Sequence, residues 1–130
     1  MNFLIDYNLR GQAALLWSAI AMSGWLELIP MRFVDFEEVG LVDKSDDRIV
    51  WQCAQARQMI LLTDNRNKKG RDSLEQVIRE ENTLTSLPVV TIGKKASLDE
   101  RRYRDRCAIR LIEILLDIEN HRGVGRIYIP

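Results

Sequence analysis

The chain has few of the residues that build the commonest small-protein active sites. It contains two cysteines and a single histidine among 130 residues. Cys53 and Cys107 lie in apolar helical patterns without CxxC spacing, so we expect buried free thiols in a reducing compartment. With His121 as the only imidazole, the sequence argues against a histidine-based metal site and against a serine–histidine triad.

The chain also has no excess of charge and no long hydrophobic run. Its 19 basic side chains balance 19 acidic ones. This balance argues against a protein that coats nucleic acid by bulk electrostatics, although it allows a local basic patch. The longest apolar run, residues 13–22, is too short for a membrane span, and the basic start and cleavage site of a signal peptide are missing. We therefore predict a cytoplasmic protein with no membrane contact.

Alternating strand and helix patterns predict the fold. Strands are predicted over residues 2–6, 31–36, 60–63, 87–93 and 126–129. Helices are predicted over residues 11–24, 46–58, 74–81 and about 98–121. This order is typical of a doubly wound α/β domain, so we expect one domain over residues 1–130. Its sheet should be mainly parallel, with about five strands and with helices on both faces.

The predicted helix starts place one carboxylate near the sheet. Ser45 is a good N-cap for the second helix, which would put Asp46 in the first turn on the apolar face of that helix. Two further serines, Ser73 and Ser97, fit capping boxes at the third and fourth helices.

The first helix is unusually apolar. With so little polar surface it should be covered on most sides, by the sheet and by a neighbour, and Trp17 and Trp25 are expected to pack there. A homodimer or a stable small partner protein is therefore expected.

The chain lacks a nucleotide-binding loop and instead has carboxylates near the ends of its predicted strands. Residues 6–11 match neither GxGxxG nor a P-loop. Asp6 follows the first strand and Asp64 the third, and ligands of open α/β sheets bind at such strand ends. Neighbouring strands lie about 4.8 Å apart, so these carboxylates, with Asp46, can share one hard cation. Oxygen ligands without His or Cys suit Mg²⁺ or Mn²⁺, which can activate water and stabilise charge on a phosphodiester.

These phrases together resemble the PIN-like nucleases, in particular short bacterial PIN-like proteins that open with a phrase like F-L-I-D-E-N-L. The matching phrases are residues 3–9, Phe-Leu-Ile-Asp-Tyr-Asn-Leu; residues 45–47, Ser-Asp-Asp; and residues 60–64, Ile-Leu-Leu-Thr-Asp. The resemblance covers nearly the whole chain. It implies a three-layer Rossmann-like PIN fold and a metal-dependent, toxin-like ribonuclease with an antitoxin-like partner. By this resemblance Asp6, Asp46 and Asp64 would be the catalytic, metal-holding acids.

The chain departs from the family pattern at two places. Tyr7 stands where family members often have Glu, and residues 63–67 read Thr-Asp-Asn-Arg-Asn in place of T-x-D-x-D. Asn offers a carbonyl oxygen but no charge, so metal affinity should fall. Asn8 and Asn65 are candidate weaker ligands, and Asp72 is a further carboxylate if its loop folds back. The alternative function is therefore a degenerate, weak or inactive module that acts through protein partners or RNA binding.

Each candidate residue also has a simpler structural explanation. Asp6 could bond only backbone amides, and Asp46 could favour only the positive end of its helix, with Asp47 as the nearby alternative ligand. The basic residues near the acids are predicted RNA-phosphate contacts, or else a solvated loop: Arg10, Arg66, Lys68, Lys69 and Arg71. Lys94, Lys95 and the arginines that follow are interleaved with acids, which favours a salt-bridged solvent face.

Overall fold

The computed structural model describes residues 1–130 and contains five strands and four α-helices, with short 3₁₀ helices in several of the connections. The strands are β1 (Asn2–Ile5), β2 (Arg32–Val34), β3 (Met59–Thr63), β4 (Val89–Ile92) and β5 (Arg126–Ile129). The α-helices are α1 (Arg10–Met22), α2 (Asp47–Ala56), α3 (Leu74–Glu81) and α4 (Arg101–Leu116). Every predicted strand and helix is present, and the predicted α/β class is confirmed. None of the helices has both the length and the hydrophobicity to cross a lipid bilayer.

The strands form one sheet in the order β2-β1-β3-β4-β5, and all four pairings are parallel. The chain moves from β1 to one edge and then returns across β1 to continue toward the other edge. The strand order therefore reverses between β1 and β3, which is the point where open α/β sheets bind ligands. The expected three-layer Rossmann-like arrangement is thus the one observed.

Helices cover both faces of the sheet because successive strand side chains point to opposite sides. In β3, Ile60 and Leu62 enter the core cluster shared with α1 and α4. Leu61, between them, enters the second cluster, which is built with α2 and α3. The same alternation divides β1, where Phe3 and Ile5 face the first cluster and Leu4 the second. This two-sided burial is why uninterrupted aliphatic residues form these strands.

Two of the three predicted helix starts differ in detail. The N-cap of α2 is Asp46, whose carboxylate accepts a hydrogen bond from the backbone N–H of Ile49 at 2.9 Å. The expectation that Ser45 caps this helix is therefore wrong by one residue. The predicted capping box at Ser97 is also wrong, because a 3₁₀ turn over Lys95–Asp99 precedes α4.

The start of α3 agrees with the sequence in part. Ser73 caps the helix by accepting from the backbone N–H of Gln76. The Gln76 side chain, however, donates to Glu80 at 2.9 Å instead of returning to the cap. The cap is confirmed and the reciprocal half of the capping box is absent.

Within the chain, the first helix is covered on one side only, and its expected cover by a partner stays a prediction. Ala13, Leu16 and Ile20 are buried against the sheet and α4. On the outer side Leu15, Met22 and Trp25 are exposed. With residues of α4 they line an open groove of about 590 Å³ between the two helices. Trp25 therefore belongs to this groove, whereas Trp17 packs against the core as expected.

Both cysteines are free, as predicted. Cys107 lies in the core, and its burial raises the pKa of the thiol to about 11 because apolar surroundings disfavour the thiolate. Cys53 is half-buried on α2. Cys107 is therefore a packing residue with an unreactive thiol.

The depth of the α4 core can be tested with two leucines of the same helix. Leu111 is 0% exposed and Leu116 is 63% exposed. Leu111→Ala should lower the free energy of unfolding by about 2–5 kcal/mol, because it removes buried methyl groups and leaves a cavity. Leu116→Ala should stay within about 0.5 kcal/mol of the wild type. Urea denaturation followed by circular dichroism measures both, and equal effects would contradict this packing.

Candidate functional site

The ends of β1 and β3 are tied together at Asp6. The backbone N–H of Asp6 donates to the carbonyl of Leu62 at 3.0 Å, which extends the parallel pairing by one residue. The Thr63 hydroxyl donates to the Asp6 carboxylate and accepts from the backbone N–H of Asn65 at 2.9 Å. Asp6 is thus held by side-chain and backbone contacts from the neighbouring strand.

A mainly polar pocket of about 420 Å³ opens at this point. Its floor is formed by Phe36, Val50, Leu61 and Leu74, which belong to the core around α2 and α3. Its walls carry the polar and charged side chains Asp6, Asn8, Asp43, Ser45, Asp47, Asp64, Asn65 and Lys95. Four carboxylates, from the ends of β1 and β3 and from the stretch that leads into α2, therefore line one opening together with one ammonium group.

Asp47 takes the place that the sequence prediction gave to Asp46. Asp46 is exposed, caps α2 and does not line the pocket. Asp47 lines the pocket, and its Oδ2 accepts from the backbone N–H of Leu74 at 3.0 Å, which joins the starts of α2 and α3. The prediction that Asp46 joins Asp6 and Asp64 is corrected accordingly. The reason is local, because a side chain engaged in capping turns back over its own helix end.

The carboxylates act on each other electrostatically. Burial raises the pKa of the Asp6 carboxyl above its usual value of 3.8, and the nearby charges of Asp47 and Asp64 raise it further. The hydrogen bond from Thr63 opposes this change. Asp6 is therefore a carboxylate whose negative charge is costly without a compensating cation.

Of the three further candidate ligands, Asn8, Asn65 and Asp72, two line the pocket and one does not. Asn8 and Asn65 both line the pocket, as expected for weaker ligands. The Asn65 side chain also accepts from the backbone N–H of Asn67 at 2.9 Å, so its oxygen already has one partner. Asp72 does not line the pocket and instead forms an ion pair with Arg48 at 2.7 Å. The proposal of Asp72 as a further pocket carboxylate is therefore corrected.

None of the predicted basic residues lines the pocket. Arg66, Lys68 and Lys69 are exposed on the loop that follows β3 and do not line it. Arg10 places its guanidinium 3.6 Å from the centre of the Tyr7 ring and donates to the Tyr7 carbonyl at 2.9 Å. This cation–π pair lies on the turn that leaves Asp6.

Arg126 is a supporting residue that the sequence reading did not single out. Its side chain is 8% exposed and donates to the Asn65 carbonyl at 2.8 Å and to the Thr91 hydroxyl at 2.7 Å. It also pairs with Glu75 of α3 at 3.2 Å. One guanidinium thus fixes the loop after β3 to β4, β5 and α3. An Arg in an otherwise apolar last strand is the signal that marks it.

The donor set suits a hard cation in chemistry but is not closed around one. All candidate ligands are carboxylate or amide oxygens, the type that Mg²⁺ and Mn²⁺ prefer. No three acidic, histidine or cysteine side chains of the structure form a group that could hold an ion. Mg²⁺ is commonly held by one or two carboxylates and keeps several waters, so a closed group of three such side chains is not a requirement for it.

No protein-family model matches the chain, and no match was found among curated proteins or solved structures. The resemblance to PIN-like nucleases therefore stays a prediction carried by the residues themselves.

The raised pKa of Asp6 gives a test that depends on pH. Because the folded state holds this proton more tightly than the unfolded chain, folding loses stability as pH rises through the folded-state pKa. Asp6→Asn keeps an acceptor for Thr63 and should raise the melting temperature at pH 7, and this gain should shrink as pH falls toward 3.8. Scanning calorimetry from about pH 3.5, just below the unperturbed value, to about pH 7.5 measures the difference.

The matched control is Asp46→Asn, which keeps a good N-cap outside the pocket. Its unfolding free energy should stay within about 0.5 kcal/mol of the wild type at every pH. A destabilising Asp6→Asn at pH 7 would contradict the electrostatic account of the pocket.

Proposed function

We propose that this chain is a PIN-like ribonuclease that hydrolyses RNA phosphodiester bonds with Mg²⁺ or Mn²⁺ in the acidic pocket. The observation that carries the proposal is that Asp6, Asp47 and Asp64, from three separate segments, line one open pocket at the switch point of the sheet. The ordered phrases at residues 3–9, 45–47 and 60–64 support the same family. Two unpaired cysteines are in keeping with a cytoplasmic protein, which is the location we propose.

In this proposal some residues of the pocket bind the cation and another accepts a proton. Asp47 and Asp64 would supply negative ligands for the cation, with the Asn8 and Asn65 oxygens as neutral ones. The bound ion would stabilise the charge that develops on the phosphate and lower the pKa of water. Asp6, whose pKa is raised, is suited to accept the proton of the attacking water as the phosphorus–oxygen ester bond breaks.

The basic residues outside the pocket are the proposed contacts to the RNA backbone. Arg66, Lys68 and Lys69 lie on the exposed loop that begins at Asp64, so a chain entering the pocket would pass them. Arg10 lies at the end of the turn that follows Asp6, stacked on Tyr7. Cations near an acidic centre suit a phosphodiester chain, since they can bind flanking phosphates while the centre meets the cleaved one.

Cleavage of a labelled single-stranded RNA in Mn²⁺ tests the proposal. Purified wild-type protein should cleave it, whereas Asp64→Asn and Asp47→Asn should reduce the single-turnover rate by at least about 100-fold, the upper range for residues that support a metal. Asp46→Asn is the control and should keep the wild-type rate, because Asp46 only caps its helix.

Two results would overturn the ribonuclease. The first is wild-type protein that leaves the RNA intact in Mn²⁺, and the second is an unchanged rate in Asp64→Asn. Calorimetric titration with MnCl₂ alone accompanies the assay, because weaker ion binding by the Asp64→Asn variant locates the ion independently of cleavage.

The second candidate is a catalytically inactive module that works by association with protein. It is favoured by the open pocket, which has no closed group of three ligands, and by the exposed groove between α1 and α4. The groove combines hydrophobic side chains with Arg101 and Asp105 of α4. The Nε atom of Arg101 lies 3.7 Å from Oδ2 of Asp105. A surface that carries both charges beside apolar residues can complement itself across a twofold axis, so a second copy of the chain is the occupant we propose.

Sedimentation velocity at high protein concentration tests this association. The wild type should sediment as a dimer, and Met22→Glu should be monomeric because Met22 is 86% exposed at the groove. Leu84→Glu is the control, since Leu84 is 90% exposed outside the groove. A wild type that is monomeric at every concentration would contradict the homodimer.

A further inference from the structure

Lys95 is the one cationic side chain that lines the acidic pocket. We propose that its ammonium group contacts a non-bridging oxygen of the RNA phosphate that enters the pocket, an assignment that rests on the ribonuclease function proposed above. The sequence reading placed Lys95 on a salt-bridged solvent face with Lys94 and the arginines of α4. The structure instead separates it from that face.

The position of Lys95 is set by the sheet. It begins the turn Lys95–Asp99, directly beyond the carboxyl end of β4. From there its Nζ donates to the backbone carbonyl of Asn8 at 2.7 Å, on the turn that follows β1. In the sheet, β3, whose end carries Asp64, lies between β4 and β1. The hydrogen bond therefore joins the turns that follow the two neighbours of β3, and Lys95, Asn8 and Asp64 line the same pocket.

The charge of Lys95 is not neutralised by a direct ion pair. None of the salt bridges of the structure includes it, although four carboxylates line the same pocket. An ammonium group has three N–H donors, and the Asn8 carbonyl takes one of them. Arg48 shows the contrast, since it is paired with Asp72, Glu80 and Glu81. Lys95 thus keeps donors and charge for a ligand.

Electrostatics favours a phosphate as that ligand. A phosphodiester that approaches four carboxylates is repelled unless cations in the pocket compensate. Arg66, Lys68 and Lys69 lie outside the pocket and act at longer range. Lysine binds phosphate oxygens as a compact point charge and does not require a planar, two-pronged geometry. Lys95 therefore supplies the contact at the centre that the exposed loop cannot supply.

Salt dependence of RNA binding separates this role from a structural one. Binding of a short single-stranded RNA is measured by fluorescence anisotropy over a KCl series, with Ca²⁺ in place of Mn²⁺ to prevent cleavage. Lys95→Gln should weaken binding by about tenfold and reduce the slope of log K against log salt by about 0.7, the value for one phosphate contact on a single strand. In Mn²⁺ its single-turnover cleavage rate should fall by a similar factor, and Lys95→Arg should recover part of both losses.

Lys94→Gln is the matched control. Lys94 is exposed, neighbours Lys95 and does not line the pocket, so its variant should keep the slope and the cleavage rate of the wild type within twofold, roughly the change that a distant surface charge produces. Lys95→Met provides a second charge-free variant that preserves the aliphatic stem if Lys95→Gln is poorly folded.

The outcomes distinguish the two proposals. Wild-type cleavage together with an unchanged slope and rate in folded Lys95→Gln or Lys95→Met overturns the role of Lys95 and leaves the ribonuclease standing. Wild-type protein that neither binds nor cleaves RNA overturns the ribonuclease and the Lys95 contact with it. A lowered melting temperature with an unchanged slope would mean that Lys95 only ties the two turns together, which also overturns the assignment.

Discussion

The parallel pairing of β1 with β3 is the constraint on which the candidate site depends. The two strands are adjacent although β2 lies between them in the chain, so residues 57 positions apart meet at Asp6 and Thr63. The pairing extends beyond the strands through the backbone bond from Asp6 to Leu62. Because both strands end at the same level, Asp6 and Asp64 face one opening. Loss of this register by one residue would turn Asp6 away from the pocket.

The pocket concentrates negative charge and the surrounding contacts keep it in place. Burial and the neighbouring carboxylates raise the pKa of Asp6, so the ionisation of this carboxyl opposes folding at neutral pH. Arg126 and Thr63 anchor the loop that carries Asp64, and Asp47 is tied to the start of α3. Such a cost is expected where side chains are arranged for a ligand and not for stability alone.

The two faces of the sheet differ in how they are closed. On the α2–α3 side, Arg48 joins the helices through three carboxylates and the carbonyl of Arg71. On the α1–α4 side, contact is through hydrophobic side chains, and the outer groove stays open. The pocket lies against the first of these faces, because its floor is part of the α2–α3 core. The site and the groove are thus separate surfaces that can be changed independently.

The sequence by itself determined the elements, their order and the two strand-end acids. Aliphatic runs such as residues 60–62 identify strands that are buried on both faces. The hydrophobic pattern that distinguishes a strand from a helix is local in the sequence, so it can be read without knowing how the elements pack. Asp6 and Asp64 follow from strand ends alone. The error at Asp46 was also local, because a cap assigned to Ser45 shifted the inward position by one residue, and the correct cap would have indicated Asp47.

Only the tertiary structure decided which distant polar residues share the pocket. Lys95 lines the pocket although its sequence neighbours suggest a solvent face. Arg126, at the start of β5, does not line the pocket but supports its loop at Asn65. Asp72 is close to Asp64 in the chain, but it forms an ion pair with Arg48 and does not line the pocket. Separation along the chain does not predict which residues are close in space, because that depends on the order of the strands in the sheet. Long-range packing sets the strand order β2-β1-β3-β4-β5. This order therefore brings charged residues that are distant in the chain to one acidic pocket, which also contains a lysine.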